Sequence, residues 1–153
     1  MKKYFIWTVV LLSCFLTPRA QVWAMSDYDF SRLCEKGTYD EVATALKASA
    51  DVNAKGENGN TALMWAVEKN PNPEVLSLVL KNGAHVNAKG NYGETALMRA
   101  AANPNPEVAS LLLKNGANAR VKNKKGKRAI DYAENNPKFK DPKALEELRQ
   151  ASQ

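Results

Sequence analysis

One phrase occurs twice in this chain, and it restricts the possible folds more than any other feature. Residues 59–66 read GNTALMWA and residues 93–100 read GETALMRA, an offset of 34 positions. NPEV at 72–75 recurs 33 positions later, and so does LKNGA at 80–84. Similarity at a fixed period of ~20–50 residues is typical of proteins built from stacked units, none of which can bury its apolar face alone. The sequence therefore predicts a repeat solenoid.

The first 24 residues have the layout of a secretory signal peptide. Lys2 and Lys3 form a basic start, residues 4–16 form an apolar run, and small residues stand where signal peptidase would cut after Ala24. The apolar run is shorter than the ~20 residues of a membrane-spanning helix. We expect cleavage after Ala24 and a periplasmic or secreted protein. The absence of Asn-x-Ser/Thr acceptors favours a bacterial cell envelope.

Two alternatives are open for this segment: an uncleaved anchor, and a lipoprotein processed at Cys14, where residues 11–14 read LLSC. Cleavage of the signal would leave Cys34 as the one cysteine of the mature chain, which excludes a disulfide within it. The predicted domains are a signal peptide at 1–24 and a repeat domain at 25–153.

Cap residues and apolar periodicity predict two helices in each repeat. The first pair begins with a helix over 27–36, and Thr38 with Glu41 three residues later predicts a capping box for the second. In the next two repeats, a first helix is predicted over 61–69 and over 95–102, each opened by a threonine. The predicted repeats are about 26–56, 57–90, 91–123 and 124–153.

The second helix of each central repeat begins at an Asn-Pro pair. Asn72 and Asn105 are predicted N-caps, because proline suits the first helical position, where its missing N–H is not needed. Gly83 and Gly116 end these helices, and we expect the left-handed conformation there. The three leucines at 111–113 are predicted to fill the core.

The last repeat is a degenerate copy. Residues 126–133 align with 93–100, and Asp141 followed by proline predicts a final helix that reaches about residue 151. Leu145 and Leu148 are predicted to face inward. The other face of this helix is polar, as the end of a stack requires.

This combination of features resembles the ankyrin repeat. The period is 33–34 residues, Gly-x-Thr-x-Leu opens the first helix, Glu-Val follows the start of the second, and Gly-Ala-x-Val-Asn-Ala follows its end. The resemblance covers about 26–153. It implies an all-α solenoid of about four helix–turn–helix repeats, each with a β-turn finger, stacked so that fingers and first helices form a concave face.

The chain departs from the family pattern at several positions. Met64 and Met98 replace the histidine of the family's Thr-Pro-Leu-His, so we expect methionine packing instead of the histidine hydrogen bond. Ser49 stands where Gly83 and Gly116 end the later second helices, although that turn favours glycine. The Gly-His between the family's two helices has become Asn-Pro-Asn-Pro.

Nothing in the sequence predicts catalysis. His85 is the only histidine, and no nucleophile is arranged beside it in the sequence. Cys34 lies on the apolar face of the first helix, which indicates a small buried hydrophobe; a reactive thiol is the alternative. The sequence has no phosphate-binding glycine loop, metal-spaced cluster or carboxylate-pair signature. We predict a protein that is not an enzyme and needs no metal or cofactor.

The face predicted to be concave has the composition of an interaction surface. It carries a tryptophan, an arginine and two tyrosines, and such residues dominate binding energy at protein interfaces. We predict that a partner protein binds a monomer of this chain there. The alternative is that Trp65 and Tyr132 only pack against neighbouring repeats. The predicted partner-binding residues are Asn60, Trp65, Glu68, Lys69, Tyr92, Glu94, Arg99 and Tyr132.

The last finger is predicted to be strongly basic. From residue 120 to the end, the chain has ten basic and five acidic residues. This finger could bind an acidic protein or anionic lipid headgroups, or it could simply keep the end of the stack soluble. Nucleic acid is not predicted, because no aromatic residue interrupts the basic run. The basic finger consists of Arg120, Lys122, Lys124, Lys125, Lys127 and Arg128.

Overall fold

The computed structural model of this chain describes residues 26–70, 72–103 and 105–153. The predicted signal peptide, and with it the alternative of lipid attachment at Cys14, lies outside these residues. Within them, regular structure is helical apart from one antiparallel bridge in the first finger. This confirms the predicted all-α repeat solenoid.

Each repeat contributes an inner helix, which carries an odd number below, and an outer helix, which carries an even number. A single 3₁₀ turn, Glu57–Gly59, lies at the tip of the first finger. The α-helices of the described residues are α1 (Asp27–Lys36), α2 (Tyr39–Lys47), α3 (Ala62–Lys69), α4 (Pro73–Lys81), α5 (Ala96–Ala102), α6 (Pro106–Lys114), α7 (Ala129–Glu134) and α8 (Pro142–Ala151).

Short polar side chains start the helices, as predicted. The Thr38 hydroxyl accepts from the N–H of Glu41, and the Glu41 carboxylate accepts from the N–H of Thr38, so the capping box forms. The asparagine caps of α4 and α6 form in the same positions, each followed by proline. The start of α7 differs, because the Arg128 side chain forms no cap hydrogen bond; the Asp131 carboxylate alone contributes, accepting from the N–H of Arg128 at 2.7 Å.

Apolar side chains from all four repeats meet in one continuous core. Neighbouring inner helices pack against each other along the stack, and each packs against the outer helix of its own repeat. Leu63 and Leu97, the leucines of the repeated phrase, are each 1% exposed. Met64 and Met98 are buried beside them. The expected methionine packing, in place of the family's histidine, is therefore confirmed.

The leucine run at 111–113 corrects one prediction. Leu112 is fully buried, but Leu111 and Leu113 are only partly buried at the edge of the core. Successive residues of an α-helix are about 100° apart around its axis, so three in a row cannot all face inward. In α8 the same geometry leaves Leu148 fully buried and Leu145 partly buried.

The turns after the outer helices share one backbone conformation. Gly83 and Gly116 have φ values of +88° and +84°, as predicted. Ser49 adopts the same region, with φ +68°, in the first repeat. A side chain costs about 1–2 kcal/mol in this conformation, so the repeat geometry is imposed on Ser49 by its packing.

Each of the last three repeats is joined to the one before it by an asparagine, a feature that was not predicted from the sequence. The Asn70 amide donates to the carbonyl oxygens of Cys34, at 2.9 Å, and Gly37, at 3.1 Å, at the end of α1. Asn103 and Asn136 donate in the same way to the last carbonyls of α3 and α5. These interrepeat asparagines satisfy helix-end acceptors that would otherwise lack a partner.

Candidate interaction surface

The candidate residues lie on the inner helices and the fingers. Trp65, Arg99 and Tyr132 are each the fourth residue of their inner helix, in α3, α5 and α7. They therefore stand in a row across three repeats. The repeated fold fixes this spacing, while the three side chains differ completely in chemistry.

Arg99 is the centre of a polar cluster between neighbouring repeats. Its guanidinium pairs with the Glu68 carboxylate, donates to Asn60 Oδ1 at 2.9 Å, and lies 3.4 Å from Glu94 Oε2. The Arg99 side chain is 15% exposed, and its Nε is buried without a hydrogen-bond partner among the described residues. Two carboxylates thus hold one largely buried cation, which fixes its position on the face.

Tyr132 extends this cluster into the last repeat. Its hydroxyl accepts from the Asn123 amide at 2.8 Å and donates to Glu94 Oε1 at 3.4 Å. The Lys127 ammonium lies 5.9 Å from the centre of the Tyr132 ring, within cation–π range. Burial and the neighbouring Glu94 carboxylate raise the pKa of the Tyr132 phenol, so the hydroxyl stays protonated at neutral pH.

A continuous polar chain therefore crosses three repeats on this face, and we call it the concave network. It ties the second repeat to the third through Arg99, and the third to the fourth through Glu94. Connected hydrogen bonds of this kind restrain the side chains that they join, although Arg99 Nε has no partner among the described residues. Its members are Asn60, Glu68, Glu94, Arg99, Asn123 and Tyr132.

The concave network leaves some predicted partner-binding residues within reach of solvent. Tyr92 is 61% exposed at the tip of the second finger, and the Lys69 side chain is 50% exposed at the end of α3. Trp65 is partly buried. Asn60, in contrast, is only 4% exposed, so its role on this face is to hold Arg99. A partner would meet Trp65, Lys69 and Tyr92 around a fixed charged centre.

The basic finger divides into two parts. Its lysines and Arg120 are exposed, and none of them forms an ion pair with a described residue. Arg128 is partly buried: it lies 3.9 Å from Asp131 Oδ2 and donates to the Ser152 carbonyl oxygen at 3.2 Å. Arg128 therefore serves the end of the stack, and the other five charges face solvent.

The fingers form one hydrogen-bonded row. Asn91 N–H donates to the Asn58 carbonyl oxygen at 3.0 Å, and Lys124 N–H donates to the Tyr92 carbonyl oxygen at 3.1 Å. Gly59 has φ +65°, and a Cβ there would lie 3.3 Å from the backbone nitrogen of Asn91, so this position of the finger favours glycine. Each finger is held in place by the next.

The structure does not bring Cys34 and His85, the candidate reactive residues, into a common site. Burial raises the pKa of the Cys34 thiol to about 12, which keeps it neutral and unreactive. His85 is exposed, and its backbone N–H donates to Asn53 Oδ1 at 2.7 Å. Across the ranges that the structure describes, no three histidine, cysteine or acidic side chains converge as metal ligands would.

Comparison with known proteins gives one clear result. A sequence model of the family described as ankyrin repeats in three copies matches residues 30–123, which is more than half of the chain. A search among curated proteins gives no match.

None of the helices in the described residues has the length and apolar character needed to span a membrane.

Proposed function

This chain belongs to the ankyrin-repeat family, and we propose that it is a non-catalytic binding module that presents its concave face to a partner protein. Ankyrin repeats are generally protein–protein interaction modules, and the family is typically non-catalytic. Function in such proteins resides in the side chains that the scaffold carries, so the proposal depends on this chain's own surface.

The concave network carries the proposal. It fixes Arg99 between Glu68 and Glu94, while Trp65 and Tyr92 remain within reach of a partner. Aromatic side chains and arginine supply most of the binding energy at protein interfaces. A surface already ordered before binding loses less entropy when a partner docks. This combination supports a specific protein partner.

The compartment is part of the proposal. The basic start, short apolar run and small residues around Ala24 support export of a mature chain that begins at Met25. We place this chain in the periplasm or outside a bacterial cell, as a monomer. N-terminal sequencing of the purified protein tests the cleavage, and an intact Met1 would contradict it.

The test of the binding role is capture of partners from the envelope fraction by the full chain, with identification by mass spectrometry. The captured protein is then purified and its affinity is measured for Trp65→Ala and Tyr92→Ala. We expect each change to weaken binding by about tenfold or more. Tyr92 is largely exposed, so that variant tests the surface even if Trp65→Ala lowers stability.

Tyr39→Ala is the matched control. Tyr39 is 41% exposed and lies at the start of the outer helix α2, away from the inner-helix face. Its loss should leave the affinity unchanged. A partner whose binding ignores Trp65 and Tyr92 but depends on Tyr39 would overturn the assignment of the concave face.

A further inference from the structure

A ladder of lysines runs along the fingers. Lys55, Lys89 and Lys122 occupy the same position in three successive fingers, 34 and 33 residues apart, and all three are exposed. None of them pairs with a carboxylate in the described part of the chain. We call these three residues the lysine ladder. It extends the positive charge of the basic finger across the whole row.

The backbone beneath the ladder is fixed. Two backbone hydrogen bonds close each finger on itself. In one, the N–H of Gly56, Gly90 or Asn123 donates to a carbonyl oxygen four residues on, at 2.9–3.0 Å; in the other, the carbonyl oxygen of the same residue accepts from the glycine three residues on, at 2.9–3.2 Å. In the third finger Asn123 is buried, and its Oδ1 also accepts from the N–H groups of Lys125 and Lys127. The ammonium groups therefore extend from anchored backbone.

This charge is not neutralised within the described structure. Glu94, in the second finger, is already committed to Arg99 and to the Tyr132 hydroxyl. Lys124, Lys125 and Lys127 lie close together in one finger, and like charges at this spacing repel each other. An anionic partner would remove that repulsion, so the finger row is electrostatically matched to negative charge.

From this row we propose that an acidic, extended segment of the partner protein binds along the fingers, with a carboxylate at about every third residue. Packed repeats place equivalent positions about 8–10 Å apart, the distance between packed helices. An extended chain in the polyproline II conformation has three residues per turn and rises about 3.1 Å per residue, so every third side chain faces the same side and three residues cover one repeat. The segment's acidic residues become denser where it meets Lys124 and Lys125.

This inference rests on the proposed function and specifies its partner. A lipid surface could also bind the lysines of the fingers, but their regular spacing favours a peptide. Anionic headgroups diffuse and need no fixed spacing, whereas the ladder offers a fixed period that an extended chain can match. Tyr92 adds an aromatic contact in the middle of the row, beside Lys124.

The test uses fluorescence anisotropy with the full chain and two labelled peptides of identical composition. One has aspartate at every third position, and the other has all its aspartates at one end. We expect the spaced peptide to bind at least about threefold more tightly, and its affinity to fall steeply with salt because exposed charges are screened.

A matched pair of triple variants locates the binding surface. In the first variant, Lys55, Lys89 and Lys122 are changed to glutamine. In the second, the same change is made at Lys47, Lys81 and Lys114, which have the same spacing at the ends of the outer helices. Both lose three exposed charges. We expect about tenfold weaker binding of the spaced peptide by the first variant, since three exposed ion pairs amount to roughly one decade in Kd. The second should bind within about twofold of the original chain.

Equal losses in both variants, or equal binding of both peptides, would overturn the proposal. So would binding to vesicles of phosphatidylcholine and phosphatidylglycerol without binding to either peptide, which would assign the fingers to a membrane. Capture of the natural partner by these variants tests this inference separately from the proposed function. If its capture depends on Trp65 and Tyr92 but not on the ladder, the concave-face assignment stands and the acidic segment is rejected.

Discussion

Cys34 shows how burial controls the chemistry of a single residue. The side chain is fully buried on α1, and no charged group compensates for the loss of water around a thiolate. The pKa is therefore raised to about 12 in the folded protein, from 9.0 for an ordinary thiol. In the folded chain this residue acts as a small apolar side chain, as its position in the sequence predicts.

The consequence for stability has a definite sign. Between pH 9 and 12 the unfolded chain loses the Cys34 proton while the folded chain keeps it, so the free energy of unfolding falls as pH rises. We expect a loss of about 1.4 kcal/mol per pH unit from this residue. Urea unfolding of the original chain and of Cys34→Ala across this range measures it. Parallel pH curves for the two proteins would contradict the prediction.

On the concave face, the positions of the side chains could be predicted from the sequence, but the contacts between them could not. Repeat alignment alone places Trp65, Arg99 and Tyr132 in one row, because equivalent positions must stack. The partners of Arg99 could not be predicted, since Glu68 and Asn60 lie 31 and 39 residues away in the chain. Which of several nearby acids a long side chain reaches depends on packing between repeats.

At the scale of helices and turns, residues close in sequence were enough to predict where helices begin. Contacts between repeats could not be predicted in this way. Thr38, Asn72 and Asp141 start their helices as predicted, because each cap bonds to a backbone N–H only two or three residues away. The roles of Asn103 and Asn136 were not predicted. Their acceptors belong to another repeat, and an asparagine before proline reads locally as a turn.

These links should matter for stability. In Asn103→Ala, the carbonyl oxygens of Val67 and Glu68 lose a part-buried donor, which should cost about 1–3 kcal/mol. Asn82→Ala is the control, because the exposed Asn82 amide bonds only within its own helix, at Leu78. Urea denaturation of both variants tests this. An equal loss in the two would mean that the interrepeat asparagines contribute no more than a surface turn.

For the molecule as a whole, the stack behaves as a one-dimensional series in which every repeat depends on its neighbours. A central defect should therefore affect more of the structure than a terminal one. Leu97 is buried in α5, between the inner helices α3 and α7, whereas Leu148 is buried in the last helix. Both leucines are close to fully buried, so they form a matched pair.

We expect Leu97→Ala to lower the free energy of unfolding by about 2–5 kcal/mol and to speed hydrogen exchange in all repeats. Leu148→Ala should speed exchange first in α7 and α8, while the central helices stay protected. Hydrogen exchange followed by mass spectrometry distinguishes the two patterns. Uniform exchange in both variants would show instead that four repeats unfold as one indivisible unit.

The interrepeat asparagines also give the stack a direction. Asn70, Asn103 and Asn136 always belong to the later repeat, and the carbonyls that they satisfy belong to the earlier one. A ribosome releases the N-terminal repeat first. Each newly emerged inner helix then stays incomplete until about a further repeat's length of chain has followed it. The end carbonyls of each inner helix therefore gain their partner only after the following repeat has been synthesised.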